Sequence, residues 1–93
     1  METKKKVEKV TTTDFYESAY YLTCGARIEE IEIYYELKEE KIRMTLSGSN
    51  LSDAQRIYFS GNAYVHLLTF RRSYQHLRSA ILQAKNSSKG SKI

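Results

Sequence analysis

The chain has 93 residues, of which 41% are hydrophobic and 28% charged, and its 15 Lys and Arg outnumber 11 Asp and Glu for a formal charge of +4. That length suits one domain; no apolar run approaches the roughly 20 residues that cross a bilayer; and Cys24, the single cysteine, excludes a disulfide scaffold. An aromatic content of 12% and regular apolar spacing argue against a disordered chain.

From the amino terminus, Lys4, Lys5, Lys6 and Lys9 are followed by no apolar stretch that would make a signal peptide. A lone thiol suits a reducing compartment, so a cytoplasmic location is expected. Residues 1–10 and 86–93 read as flexible basic tails, with a single α+β domain over 11–85.

Helix 1 is expected to open at Thr13 or Asp14, where Asp14 and Glu17 have capping-box spacing. Phe15, Ala19 and Leu22 form its apolar stripe, and Gly25 suits the left-handed position after the last turn. The period then changes. Ile31, Ile33, Tyr35 and Leu37 alternate with Glu30, Glu32, Tyr34 and Glu36, and Ile42, Met44 and Leu46 alternate with Lys41, Arg43 and Thr45. These are two half-buried strands of an antiparallel hairpin. Its turn, over Lys38 to Lys41, lacks Asn-Gly and is expected to be a longer, looser loop.

Gly48-Ser49-Asn50 is expected to break the second strand. Ser52 and Gln55 then predict a capping box for a helix over about 51–60, with Leu51, Ala54, Ile57 and Tyr58 inward and Gly61-Asn62 as its end. A last helix from about Val65 to Lys85 carries Leu67, Phe70, Tyr74, Leu77, Ile81 and Ala84 at alternating spacings of three and four. The order is α-β-β-α-α. The long last helix and the first helix cover the apolar face of the hairpin, which would not be stable bare. A domain this small is expected to oligomerise, for instance through a strand edge.

Thr13-Asp14-Phe15-Tyr16, Gly25 after one helix, the hairpin, then Tyr58, Gly61, Val65, Phe70, Leu77-Arg78-Ser79 and Ile81 resemble, in order and spacing, a small prokaryotic domain-of-unknown-function family. The resemblance covers about 13–82. It implies the same architecture and a phage or mobile-element setting, and it brings no activity and no functional residues. The acidic hairpin, and His66 where members often carry an acidic helix cap, depart from the family pattern.

Charge is distributed unevenly. No acidic residue follows Asp53: residues 54–93 carry Arg56, Arg71, Arg72, Arg78, Lys85, Lys89 and Lys92, or +7, against −3 for residues 1–53. The acid concentrates in the hairpin, at Glu29, Glu30, Glu32, Glu36, Glu39 and Glu40. On the last helix Arg71, Gln75, Arg78 and Lys85 follow one row, with Arg72 and His76 beside it. Guanidinium forks suit phosphate, and Gln75 suits a base edge. Surface helices are commonly charged, so the same row also reads as ordinary solvation or as protein contact. In a third use, the basic helix of one copy meets the acidic hairpin of another.

Other chemistry finds little support. His66 and His76 lie ten residues apart and diverge on a helix, and Cys24 reads as a small buried residue, so no metal site and no cofactor are expected. Glu29-Glu30 and Glu39-Glu40 read as solvated carboxylates. Eight tyrosines exceed what a small core holds; Tyr20, Tyr21, Tyr34 and Tyr64 are expected to divide between core and interface. The chain is therefore expected to be a non-enzymatic binding protein, an accessory factor contacting DNA or RNA through Arg71, Arg72, Gln75 and Arg78, with Arg56 and Lys85 assisting. The alternative is a protein-interaction module or homo-oligomer that uses Glu29, Glu32, Tyr34 and Glu36.

Overall fold

A computed structural model of the chain describes residues 7–90. Its elements are β1 Val7–Thr12, α1 Phe15–Thr23, β2 Arg27–Glu36, β3 Glu39–Ser49, α2 Leu51–Ser60 and α3 Leu67–Gly90. The five expected elements form in the expected order, making an α+β fold, and a strand precedes them.

That first strand corrects the reading of residues 1–10 as a tail. β1 pairs antiparallel with β3 from Val7↔Ser49 to Thr12↔Met44, so the sheet has three strands in the order β1-β3-β2. Its alternation is hard to see because the positions facing the helices are Glu8, Val10 and Thr12, of which only Val10 is apolar and buried. At the other end, α3 continues past Lys85 to Gly90, so part of the expected carboxyl-terminal tail is helical. The remainder of both expected tails, residues 1–6 and 91–93, lies outside the described residues.

β2 and β3 form the expected hairpin with a different turn. Glu36 pairs with Glu39, leaving a two-residue connection in which Leu37 (φ 53°) and Lys38 (φ 67°) both take left-handed backbone. This is the geometry that a tight hairpin needs and that Asn-Gly usually supplies. A residue with a Cβ at such a φ costs roughly 1–2 kcal/mol, offset here by the long ladder behind the turn. A register shift between Ile28 and Glu30 bulges the strand at Glu29. It brings Ile28 and Ile31 to the same core-packed face although they are three apart, which strict alternation forbids.

β3 does not break at Gly48. That residue lies within the strand, and a Cβ there would meet the Ala26 Cα at 3.1 Å, so glycine permits close approach of the β2 entrance. Gly25 (φ 102°) terminates α1 as expected.

The two helix starts are built differently from expectation. Asp14 caps α1, accepting from the amides of Tyr16 (2.9 Å) and Glu17 (3.1 Å). Glu17 does not complete the box: it turns inward to accept from Thr12 Oγ1 (2.7 Å) and from the Tyr21 hydroxyl, while Thr12 Oγ1 accepts from the Asp14 amide. At α2, Ser52 is not the cap. Asn50 occupies that position with left-handed backbone and no side-chain bond, and Glu8 of β1 accepts from the Ser52 amide (2.8 Å) and hydroxyl (3.0 Å).

The core lies between the helices and one sheet face. It contains Val10, Tyr20, Tyr21, Ala26, Met44, Leu46, Leu51, Ala54, Leu77 and Ile81, with Phe15, Leu22, Ile28, Ile31, Ile42, Tyr58 and Phe70 packed around it. Four expected core positions are exposed. Ile57 lies at the outer margin of α2, Leu67 is the first residue of α3 and precedes its contact with α1, Leu37 belongs to the turn, and Tyr35 lies two residues before it at the hairpin end. Cys24, expected to be buried, is the exposed C-cap residue of α1.

Candidate functional site

The two charged surfaces of the chain lie on different layers. The first is the open face of the sheet, which carries Glu30, Glu32, Tyr34 and Glu36 from β2, Lys41, Arg43, Thr45 and Ser47 from β3, and Lys9 and Thr11 from β1. One directly opposed pair here, Glu32 and Arg43, joins opposite charges. Arg43 Nη1 meets Glu32 Oε1 at 2.6 Å, and its guanidinium lies 4.4 Å from the centroid of the Tyr34 ring. The hydrogen bond from Arg43 to Glu32 raises the guanidinium's pKa further above its ordinary value.

Glu29 accepts from the Ser47 hydroxyl and pairs with Arg27 (3.4 Å), and the Ser47 bond holds its carboxyl below the ordinary range. Glu39 pairs with Lys41, and Glu40 reaches across to Lys85 of α3 at 2.9 Å. Of the four residues expected to form a protein interface, Glu29, Glu32 and Tyr34 are thus engaged within the sheet. Glu36 is exposed at the hairpin end and has no ion pair among the described residues.

The second surface is the outer side of α3. Leu77 and Ile81 fix the orientation of the helix by burial, and Phe70, Ser73, Tyr74, Ala80 and Ala84 are half-buried around them. The 3.6-residue period then turns Arg71, Arg72, Gln75 and Arg78 outward, and all four are exposed. Arg71 and Arg78 flank the side facing the start of α1: Arg78 lines a shallow depression with Phe15, Ile42, Ile81, Leu82 and Lys85. Arg72 flanks the other side, where it and His76 border an open depression of about 660 Å³ over Leu22, Ala26, Ile28 and Ala80. Among the described residues, no carboxylate pairs with Arg71, Arg72 or Arg78.

The two assisting residues are placed differently. Arg56 lies on α2 and pairs with Asp53 at 2.7 Å, an exposed contact of the kind that contributes little. Lys85 ties α3 to the hairpin through Glu40. The residues that the fold leaves together and outward-facing are therefore Arg71, Arg72, Gln75 and Arg78, confined to about two turns of one helix.

An aromatic feature beside it was not evident from the sequence. Tyr16, in the first turn of α1, stacks on α3 with ring centroids 5.4 Å from Tyr74 and 6.5 Å from Phe70 at interplanar angles of 17° and 19°. Tyr16 is nevertheless 60% exposed. The i, i+4 spacing of Phe70 and Tyr74 could have suggested a shelf on α3, but only the crossing of α1 supplies the third ring. Elsewhere Tyr20, Tyr21 and Tyr58 form a tilted aromatic cluster inside the fold, while Tyr64 is 89% exposed before α3.

Among the described residues, no group of three or more His, Cys, Asp or Glu is placed to hold a metal ion. No helix among them is long and apolar enough to cross a membrane. Comparison of the chain with protein-family models, curated proteins and solved structures finds no match.

Proposed function

We propose that the chain is a non-enzymatic binding protein that takes nucleic acid on the outer face of α3, with Arg71, Arg72 and Arg78 on phosphates and Gln75 toward a base edge. The observation that carries this reading is the state of those guanidinium groups. They are exposed and have no carboxylate partner among the described residues, on a helix whose sequence is free of acid. Each planar fork donates two hydrogen bonds to a phosphate, and each phosphate contact releases condensed counterions. The acidic residues that would repel a polynucleotide are concentrated on the sheet and hairpin, and several are paired there.

The test is fluorescence anisotropy with labelled duplex and single-stranded oligonucleotides at low and moderate salt. Wild-type protein is expected to bind with salt-sensitive affinity. The triple variant R71E/R72E/R78E is expected to lose binding while its circular dichroism and melting curve stay unchanged. Binding that survives the triple reversal would refute the reading.

A second reading has one observation in its favour. At the hairpin end Tyr35 and Leu37 are 69% and 93% exposed beside Glu36, an apolar tip with an acidic margin suited to a protein partner or a second copy. Sedimentation of wild-type and Leu37→Asn protein tests self-association there. A monomer at all concentrations would remove the homo-oligomer form of this reading.

A further inference from the structure

Tyr16 presents a combination that packing alone does not require. One side of its ring is stacked on the Phe70–Tyr74 shelf, which holds the ring close to parallel with both neighbours. Yet most of the residue's surface is in water. A ring fixed from behind and open in front loses little conformational freedom when something flat lies on it. Every nucleic-acid base has such a flat face, but only an unpaired base can turn it toward a side chain.

Cationic groups stand beside this platform. Arg71 directly follows Phe70 in sequence, and Arg78 lies one turn beyond Tyr74, beside Phe15, the residue before Tyr16. Of the two carboxylates nearest in sequence, Glu17 is buried and accepts from Thr12 and Tyr21, and Asp14 is occupied by the Tyr16 and Glu17 amides and approached by the Tyr58 hydroxyl at 3.5 Å. Resting on the nucleic-acid reading of α3, we propose that Tyr16 is a stacking platform for an unpaired base. Arg71 and Arg78 hold the adjoining phosphates, so the site selects single-stranded over duplex polynucleotide. Base stacking and phosphate pairing are common to DNA and RNA, and both belong in the test.

Anisotropy titrations with a labelled oligothymidine, an oligouridine and a duplex of equal length read this out. Wild type is expected to prefer one or both single strands. Tyr16→Ala is expected to weaken single-strand binding roughly 5- to 100-fold and leave duplex binding unchanged. Tyr16→Leu, which keeps an apolar contact with the shelf but has no π-face, is expected to show the same loss, and Tyr16→Phe is expected to retain affinity. Tyr35→Ala, which removes a ring at least as exposed from the hairpin, is expected to leave binding of all three oligonucleotides unchanged. Unchanged single-strand binding in both Tyr16→Ala and Tyr16→Leu would overturn the proposal, as would equal losses on single strands and duplex. A wild type that binds only duplex would overturn it and leave the α3 reading standing. A wild type that binds none of the three would overturn both.

Discussion

Glu8 and Ser52 are joined across the fold: one carboxylate oxygen of the strand residue accepts from the helix residue's amide and the other from its hydroxyl. The start of α2 is therefore satisfied by β1, forty-four positions away in sequence. A carboxylate there also meets the positive end of the helix dipole.

Glu8→Ala should accordingly destabilise the domain by about 1 kcal/mol, the usual cost of a lost helix cap. Urea unfolding followed by circular dichroism at neutral pH checks this. A midpoint equal to that of wild type would show that the contact contributes nothing. Lys9→Ala, on the open face of the same strand, should leave the midpoint nearly unchanged.

The buried tyrosines set the behaviour at alkaline pH. Burial pushes the hydroxyl pKa of Tyr20, Tyr21 and Tyr58 above the ordinary 10.0, and in Tyr21 the bond to Glu17 adds to the effect. Below pH 10 these groups are protonated in the folded and the unfolded chain and make stability independent of pH. Above it the unfolded chain releases protons that the fold retains, so the unfolded state binds fewer and stability falls as pH rises. The melting temperature should therefore decline above about pH 10. In Tyr21→Phe that decline should be shallower, while stability at neutral pH falls by about 1–3 kcal/mol because the buried Glu17 loses a donor. A wild-type melting temperature flat through pH 11 would contradict this account.

Leu77 and Leu67 belong to the same apolar pattern but differ in burial, at 0% and 76% exposed. Leu77→Ala should cost about 2–5 kcal/mol, a large share of the stability of so small a domain. Leu67→Ala should stay within about 0.5 kcal/mol. Thermal melts of the two variants decide the matter, and equal losses would mean that α3 is docked in another register.

Periodicity made the two hairpin strands and the three helices readable, because each buries a stripe whose spacing survives in the sequence. β1 left no such trace, since one apolar residue in six, Val10, faces the core. Its omission also misplaced the cap of α2: with no strand there, Ser52 looked self-sufficient and Glu8 looked like part of a tail. The tight turn at Leu37-Lys38 was hidden for a different reason. Local preference disfavours both residues at positive φ, and the ladder on either side overrides it. The basic row of α3 could be read because solvent-facing positions follow directly from the buried ones. The stacking of Tyr16 could not, because it depends on where α1 crosses α3. The charges of the hairpin were equally plain, but their pairing, such as Arg43 with Glu32 and Tyr34, depends on strand register.

The salt dependence of single-strand binding tests the α3 face most directly. Each phosphate contact contributes about 0.7 to the slope of log K against log salt. R71Q/R72Q/R78Q should thus bind more weakly and with a slope shallower by about 2, at an unchanged melting temperature. A triple variant with the wild-type affinity and slope would show that these three arginines touch no phosphate.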